Sequence, residues 1–401
     1  MNFLLLGKGK SIKYIIKYLK SKKCEYVIAC FKNERKNKNE LLINEDLLKL
    51  DDITYVIKSP GINETNKIII KLMEKFIFIS EIDLLSLFNV KTKSIVVTGS
   101  NGKTTLVSLI YHLFKKQSLK VIKCGNSFLP ISKYYKKFNR LDYLIIEQSS
   151  FQLATLKFYK PYIAIILNMS PNHLDSSFSL TSYYENKKNI YKYQTSNEYF
   201  IYDNENKNLK SINSNAMIVS LLKTNIDVFN DNLRKYELQI NYLYTISKII
   251  GLKNDCLKDI NDFKTLKYRE EIKIKNNITY INDSKSTSVD ATLFALSHVN
   301  NLNNTILIIG GKDKNVSLKR INKYKVKYLI CYGEIVNRAV NELNNLITCT
   351  TLKEAFTIAS NIYINDKIIL FSPAASSFDQ YPSFEKRGKE FNDLIAKTKN
   401  K

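Results

Sequence analysis

The 401-residue chain contains no tryptophan, three histidines, six prolines and eleven glycines. Its six cysteines, at 24, 30, 124, 256, 331 and 349, form no close pair of the Cys-x-x-Cys kind. A zinc knuckle and a thioredoxin-type centre both need such pairs, so the sequence offers neither. His112, His173 and His298 stand far apart along the chain. A metal is therefore expected to be hard and oxygen-ligated, such as Mg²⁺, and the cysteines to be reduced core residues. No apolar run approaches the ~18 residues of a membrane span, and Tyr162 to Met169 is among the longest. Nothing basic precedes the apolar opening Phe3 to Leu6, which runs straight into Gly7. It reads as a first strand and not a signal peptide, and a cytoplasmic location is expected.

What is abundant is positive charge: Lys and Arg number 62 against 37 Asp and Glu, a formal excess of +25. Such an excess invites a nucleic-acid reading. Here the cations are dispersed and interleaved with acids, as in Lys32-Asn33-Glu34-Arg35-Lys36, and form no stripe. Lys, Asn, Ile and Tyr are all common, the bias of an AT-rich coding sequence, so the charge names no function. With 44% hydrophobic and 25% charged residues the composition is that of a globular protein, and the length implies two or three domains.

Strand and helix patterns alternate along the chain. Apolar strand runs at Phe3–Leu6, Tyr26–Cys30 and Thr54–Ile57 surround a helical spacing at Ile12, Ile15, Ile16 and Leu19. The pattern restarts after Ser94 with a strand at Ile95–Val97, a helix at Lys103–Lys116, and strands at Tyr143–Ile146 and Tyr162–Leu167. It restarts again near Tyr268, with strands at Thr279–Ile281, Thr305–Ile309, Tyr328–Cys331 and Lys367–Phe371. Such alternation predicts parallel sheets covered on both faces. The fold class is α/β, in three consecutive α/β domains over residues 1–92, 93–265 and 266–401. Asp203–Asn215, rich in Asn and Lys, is expected to be a surface loop.

The most specific stretch is Thr98-Gly99-Ser100-Asn101-Gly102-Lys103-Thr104-Thr105, which follows an apolar strand and opens a helix. Small residues let backbone N–H groups turn toward phosphate oxygens, and the helix N-terminus adds partial positive charge. Lys103 would reach the β- and γ-phosphates and Thr104 would offer a hydroxyl to Mg²⁺. The standard spacing puts a glycine where this chain has Val97, so the loop is a shortened variant. Glu147, in Glu147-Gln148-Ser149-Ser150-Phe151-Gln152-Leu153, follows a strand and is placed either to hold a metal or to serve as a helix N-terminal charge. His173, in Asn168-Met169-Ser170-Pro171-Asn172-His173-Leu174-Asp175, also lies past a strand. Together these features suggest a phosphoryl-transfer site. Hydroxyl-rich loops at Asn282–Thr287 and Phe371–Tyr381 could cradle a carboxylate or act as helix caps.

These residues resemble the Mur ligases, and within them the branch that adds D-glutamate. The shortened loop is typical of Mur ligases and of the related folylpolyglutamate synthases. The Glu-x-Ser-Ser-Phe-Gln-Leu string, Ser59-Pro60-Gly61-Ile62, Asn282-Asp283-Ser284-Lys285 and the closing Ser-Pro-Ala…Asp-Gln…Phe-Glu-x-Arg-Gly run point to that branch, in order from Gly7 to Phe391. The resemblance implies a Rossmann-like UDP-sugar domain, a central ATP-binding domain and a C-terminal Rossmann-like amino-acid domain. It implies an ATP-dependent amide ligase of peptidoglycan synthesis that joins D-glutamate to UDP-N-acetylmuramoyl-L-alanine through an acyl phosphate. ATP is the co-substrate, Mg²⁺ the cofactor and a monomer the expected state, with no nucleic-acid partner.

Carried over residue by residue, Lys103, Glu147, His173 and Lys187 are catalytic, with Thr104, Glu147, His173 and Lys187 at the metal. Lys187 matches a lysine that carries a carbamate, although residue chemistry alone also allows an exposed lysine, with Lys188 adjacent. ATP is assigned to Gly99, Ser100, Asn101, Gly102, Lys103, Thr104 and Thr105, together with Asn241, Arg269, Asp283 and Lys285. Ser11, Gly61 and Asn126 are assigned to the UDP-sugar, and Thr287, Lys314, Ser377 and Phe384 to D-glutamate. The departures are Ile12 in place of a third glycine, the lack of an acid at Ala29–Lys32, Leu238 in place of an asparagine, and Tyr268 in place of a histidine. Other readings are a different amide ligase of the superfamily, a degenerate binding protein, or a basic nucleic-acid-binding ATPase. The Asp-Ser-Lys and closing motifs argue against the first, intact Lys103, Glu147 and His173 against the second, and the missing basic stripe against the third.

Overall fold

A computed structural model of the chain describes residues 1–34, 40–169, 180–209, 212–226, 229–253, 255–264 and 266–398. His173 lies outside the described residues. Three sheets are distributed over two compact units, one reaching to Phe263 and the other beginning at Lys264. The first unit carries two of the sheets. In one, the strands run in the order Leu41–Leu42, Glu25–Cys30, Asn2–Leu6, Tyr55–Lys58, all parallel.

The other sheet of this unit runs Met217–Ser220, Tyr199–Tyr202, Ile163–Ile166, Lys93–Thr98, Tyr143–Glu147, Val121–Gly125, again all parallel. Its central strands are apolar and buried almost end to end, because helices cover both faces. From Thr98 the chain crosses through the helix Lys103–Lys116 to the edge strand, then returns to fill the gap at Tyr143–Glu147. The strand order therefore reverses beside Lys93–Thr98. The loops leaving Thr98, Glu147 and Ile166 meet at one edge, the crevice where open parallel sheets bind ligands.

The second unit holds Glu271–Lys275, Ile278–Asn282, Ile368–Ala374, Thr305–Gly310, Tyr328–Tyr332 and Leu346–Thr348 in that order. All neighbours are parallel except the first pair, which is an antiparallel hairpin. Of the cysteines, four are buried and two half-buried, and all are free thiols.

A buried carboxylate braces the first unit. Asp83 is fully buried and accepts the backbone N–H groups of Ser80, Lys157, Phe158 and Tyr159 at 2.9–3.1 Å. It thereby ties the start of the helix Asp83–Leu87 to the segment before Ile163–Ile166. Replacing Asp83 by Ala would strand these donors without water. The expected loss is about 3 kcal/mol or more of unfolding free energy, read by urea denaturation. A loss within about 0.5 kcal/mol, the range of ordinary surface substitutions, would refute the brace.

Candidate active site

The phosphate-loop motif folds as a turn from the strand Lys93–Thr98 into the helix Lys103–Lys116. Gly102 caps that helix with φ +79°, a left-handed conformation in which a side chain would also crowd Gln239 and Leu167. Asn168, from the neighbouring strand's loop, holds the turn open. Its carboxamide oxygen accepts the N–H groups of Ser100 and Asn101 at 3.0 and 2.9 Å, and its nitrogen donates to the Asn101 carbonyl at 3.1 Å. The Lys103 ammonium donates to the Gly99 and Ser100 carbonyls at 2.6 and 3.0 Å.

A chain of polar contacts runs from the loop to a buried acid. Thr104 Oγ1 lies 3.1 Å from Ser127 Oγ, which donates to Glu147 Oε1 at 2.8 Å. Asn126 Nδ2 donates to the same oxygen at 3.0 Å. Gly125, with φ +102°, lets this segment lie against Glu147, since a Cβ there would stand 2.1 Å from the Glu147 carbonyl. The other carboxylate oxygen, Oε2, is buried and accepts no hydrogen bond. A buried carboxylate oxygen costs free energy unless something positive meets it. Glu147 with the Thr104 hydroxyl thus fits a hard cation that takes its remaining oxygens from phosphates and water. Among the described residues no three His, Cys, Asp or Glu side chains gather as a self-sufficient metal cage.

Lys187 is 1% exposed and donates to the Gly99 carbonyl at 3.0 Å, its Nζ 4.3 Å from the centre of the Tyr183 ring. Lys188 is partly exposed and pairs with Glu185 at 2.8 Å. Burial, with Lys103 nearby, holds the Lys187 amine well below the ordinary lysine range. Tyr183 and Ser100 meet through their hydroxyls at 3.2 Å. Thr105 is buried in the loop helix, whereas the Asn241 carboxamide oxygen accepts the Thr224 N–H at 2.9 Å and so pins that segment.

Elsewhere in the first unit lies a cleft of about 500 Å³ lined by Gly7–Ser11, Phe31, Glu34, Ser59–Ile62, Glu81, Gly125, Asn126, Phe128, Pro130 and Gln152. It brings together Ser11, Gly61 and Asn126, three residues far apart in sequence. Two acids missed by motif reading, Glu34 and Glu81, also line it. Glu81 accepts the Ser132 N–H at 2.8 Å, and burial pushes its carboxyl up to about 7.

In the second unit, Lys314 donates to the Thr287 carbonyl at 3.2 Å, and Lys285 lies 4.4 Å from the centre of the Phe384 ring. Asp283 is buried, accepting from Ser286 and from Ser372 at 2.5 and 2.8 Å. Burial and the adjacent Glu270 push its carboxyl up to about 7. Ser377 is buried and its carbonyl accepts the Tyr381 N–H at 2.8 Å. Arg387 is wholly buried and donates to the carbonyls of Gly310, Ser284 and Ala375 at 2.9–3.2 Å, stitching the closing motif to the sheet. Asn168, Ser127 and Arg387 lay within or beside the motifs but carried no signal of these contacts. They are neutral or hydrogen-bonding residues whose partners are distant in sequence.

A family model of the Mur ligase middle domain matches residues 97–258. The UDP-N-acetylmuramoylalanine–D-glutamate ligase of Francisella tularensis subsp. novicida is 34% identical over 379 residues, covering 90% of this chain and 88% of its own length. That of Christiangramia forsetii is 32% identical over 390 residues, covering 86% of each. Among solved structures, the UDP-N-acetylmuramate–alanine ligase of Thermotoga maritima superposes with a TM-score of 0.57 at 15% identity, covering 100% of both chains. The MurF ligase of the same organism, in complex with ADP, gives 0.61 at 13% identity over 98% of this chain and 95% of its own. At such identities the solved structures speak for the fold, which is the α/β architecture with parallel sheets of the three-domain Mur ligases.

Two substitutions check the geometry. Asn168→Ala, which frees the N–H and carbonyl of Asn101 while the residue 168 backbone carbonyl still accepts from Ser100, is expected to raise the dissociation constant for ATP about tenfold in calorimetric titration. Unchanged affinity would show that the loop holds itself. For Glu81 the sign follows from a native carboxyl near 7 against an ordinary value of 4.5. Between those pH values the native state holds a proton that the unfolded chain has lost, so its stability falls as pH rises and the penalty is complete above 7. Glu81→Gln is expected to unfold at a higher temperature than the parent at pH 8 and at about the same temperature near pH 4. Equal melting at both would contradict the burial.

Proposed function

Because the chain belongs to the UDP-N-acetylmuramoylalanine–D-glutamate ligase family of Mur ligases, we propose that it joins D-glutamate to UDP-N-acetylmuramoyl-L-alanine through an acyl phosphate. It is an ATP-dependent ligase of peptidoglycan-precursor synthesis that forms a C–N bond. A substrate carboxylate oxygen attacks the γ-phosphorus of ATP and ADP departs. The amine of D-glutamate then attacks the acyl carbon, and the tetrahedral intermediate expels phosphate to leave the amide. The carboxylate itself would have to lose oxide, so phosphorylation supplies the leaving group.

The chain's own part is to position the reactants and to meet charge. Backbone N–H groups at the start of the loop helix, Gly102 to Thr105, cradle the phosphates, and the Lys103 ammonium leaves its carbonyl partners for the β- and γ-oxygens. Thr104 and Glu147 would hold Mg²⁺, with His173 and a carbamate on Lys187 completing the set by resemblance. The ion supplies charge neutralisation on the phosphate oxygens. The observation that carries this reading is the unpaired, buried Oε2 of Glu147, whose other oxygen is linked through the Ser127 hydroxyl to Thr104 of the phosphate-loop helix. The lowered Lys187 amine supports the carbamate, because only a neutral amine adds to CO₂.

Ser11, Gly61 and Asn126 line the cleft assigned to the nucleotide sugar. Asn241, Arg269, Asp283 and Lys285 are assigned to the nucleoside end of ATP, and Thr287, Lys314, Ser377 and Phe384 to D-glutamate. The domain limits 1–92, 93–265 and 266–401 follow the same division. We place the enzyme in the cytoplasm as a monomer, where ATP and the nucleotide sugar are supplied. No helix among the described residues is long and apolar enough to cross a membrane.

Purified protein is expected to release phosphate from ATP when UDP-N-acetylmuramoyl-L-alanine and D-glutamate are both present, and not when L-glutamate replaces D-glutamate. Lys103→Ala is expected to cut that turnover by at least about a hundredfold while circular dichroism is unchanged. Equal release with either enantiomer removes the D-glutamate assignment. Parent-like turnover in the lysine variant removes the phosphate-loop mechanism.

A further inference from the structure

The turn that carries Arg269 is built from unfavourable backbone. Tyr268 and Glu270, the residues on either side of Arg269, have φ of 62° and 48°. Side-chain-bearing residues enter this region only where the surroundings over-determine them. Here they do. The Tyr268 N–H donates to Glu271 Oε2 at 3.0 Å, and its carbonyl accepts the Lys285 N–H at 3.0 Å. Its ring lies over Gly388, where a Cβ would stand 2.5 Å from the ring. The Glu270 N–H donates to Asp283 Oδ1 at 3.3 Å, which locks the turn to a buried carboxylate. The Glu270 side chain turns away to His298, with Nδ1 3.1 Å from Oε2 and 3.2 Å from Oε1.

His298 closes the helix Val289–Ser297 and lies edge-on to Phe294 at 4.3 Å, and both it and Glu270 are largely shielded. No step of the ligase reaction uses it. Glu270 is an acid beside the buried acid Asp283, next to residues assigned to a polyanionic nucleotide. Its carboxylate has to be held off both. With Nδ1 as donor, the His298 ring does this and fixes the second left-handed residue of the turn. Asp283 faces the pair across the Glu270 backbone, near enough for the two acids to interact.

We propose that His298 is a positioning residue for the nucleotide: by tethering Glu270 it sets the Tyr268–Arg269–Glu270 turn on Asp283. The inference rests on the reading of Arg269 and Asp283 as nucleotide-binding residues, and binding is measured apart from turnover so that the two can fail separately. In calorimetric titration with MgATP, His298→Leu raises the dissociation constant about tenfold, and KM for ATP rises in parallel while kcat at saturating ATP stays within about twofold. His298→Asn, whose amide nitrogen can take the place of Nδ1, restores binding to within about twofold of the parent. If His298→Leu does not fold, His298→Ala is held to the same expectation. Parent-like affinity in the Leu or Ala variant, or equal weakening in the Asn variant, overturns the proposal. A parent protein that binds MgATP but releases no D-glutamate-dependent phosphate overturns the ligase reading and leaves this one standing.

Discussion

The candidate active site depends on one constraint, the close approach of two loops where the strand order of the central sheet reverses. Backbone N–H groups in the phosphate loop can face an anion only if something other than a helix or a strand fixes them. Here the Asn168 carboxamide from the adjacent strand fixes the loop by accepting the N–H groups of Ser100 and Asn101 and donating back to Asn101, and the N–H groups at the start of the following helix are the ones turned to the anion. The helix N-terminus that follows adds its partial charge to a concavity already shaped by the sheet. Lys103, Thr104, Glu147 and Lys187 all take their places relative to this turn.

Two buried carboxylates in the same unit are treated in opposite ways. Asp83 accepts four backbone N–H groups and is spent on holding the fold. Glu147 has one oxygen satisfied by Asn126 and Ser127 and the other left without a partner. The half-satisfied acid beside the phosphate loop is the one that the proposed function gives to a cation. The two lysines on the Gly99 carbonyl follow the same logic, since cations crowded in a buried place favour a neutral amine at Lys187.

The parallel core was legible because strands buried on both faces are continuous apolar runs. The helix Lys103–Lys116 was legible to the residue, its start marked by the Gly102 cap. The sheet margins were not. In Glu271–Lys275 the isoleucines face outward, Ile272 46% and Ile274 75% exposed, which inverts the alternation that a half-buried strand normally shows. Leu346–Thr348 is too short to carry any period. At the site, the loop and Glu147 were readable from local motif. Ser127, Asn168, Glu81 and the Glu270–His298 pair were not, because each works through a partner that only folding brings near.

The alternation of strand and helix, the glycines that permit the phosphate loop, and the motifs whose order marks the family are local properties of the chain and were readable from it directly. Tertiary structure alone decided which of two adjacent lysines is buried, which oxygen of Glu147 stays unpaired, and how Ser11, Gly61 and Asn126 come to line one cleft. Burial and hydrogen-bond satisfaction are set by neighbours many residues away. The same side chain is a half-buried ion-pair partner at 188 and a desolvated amine at 187 for that reason alone.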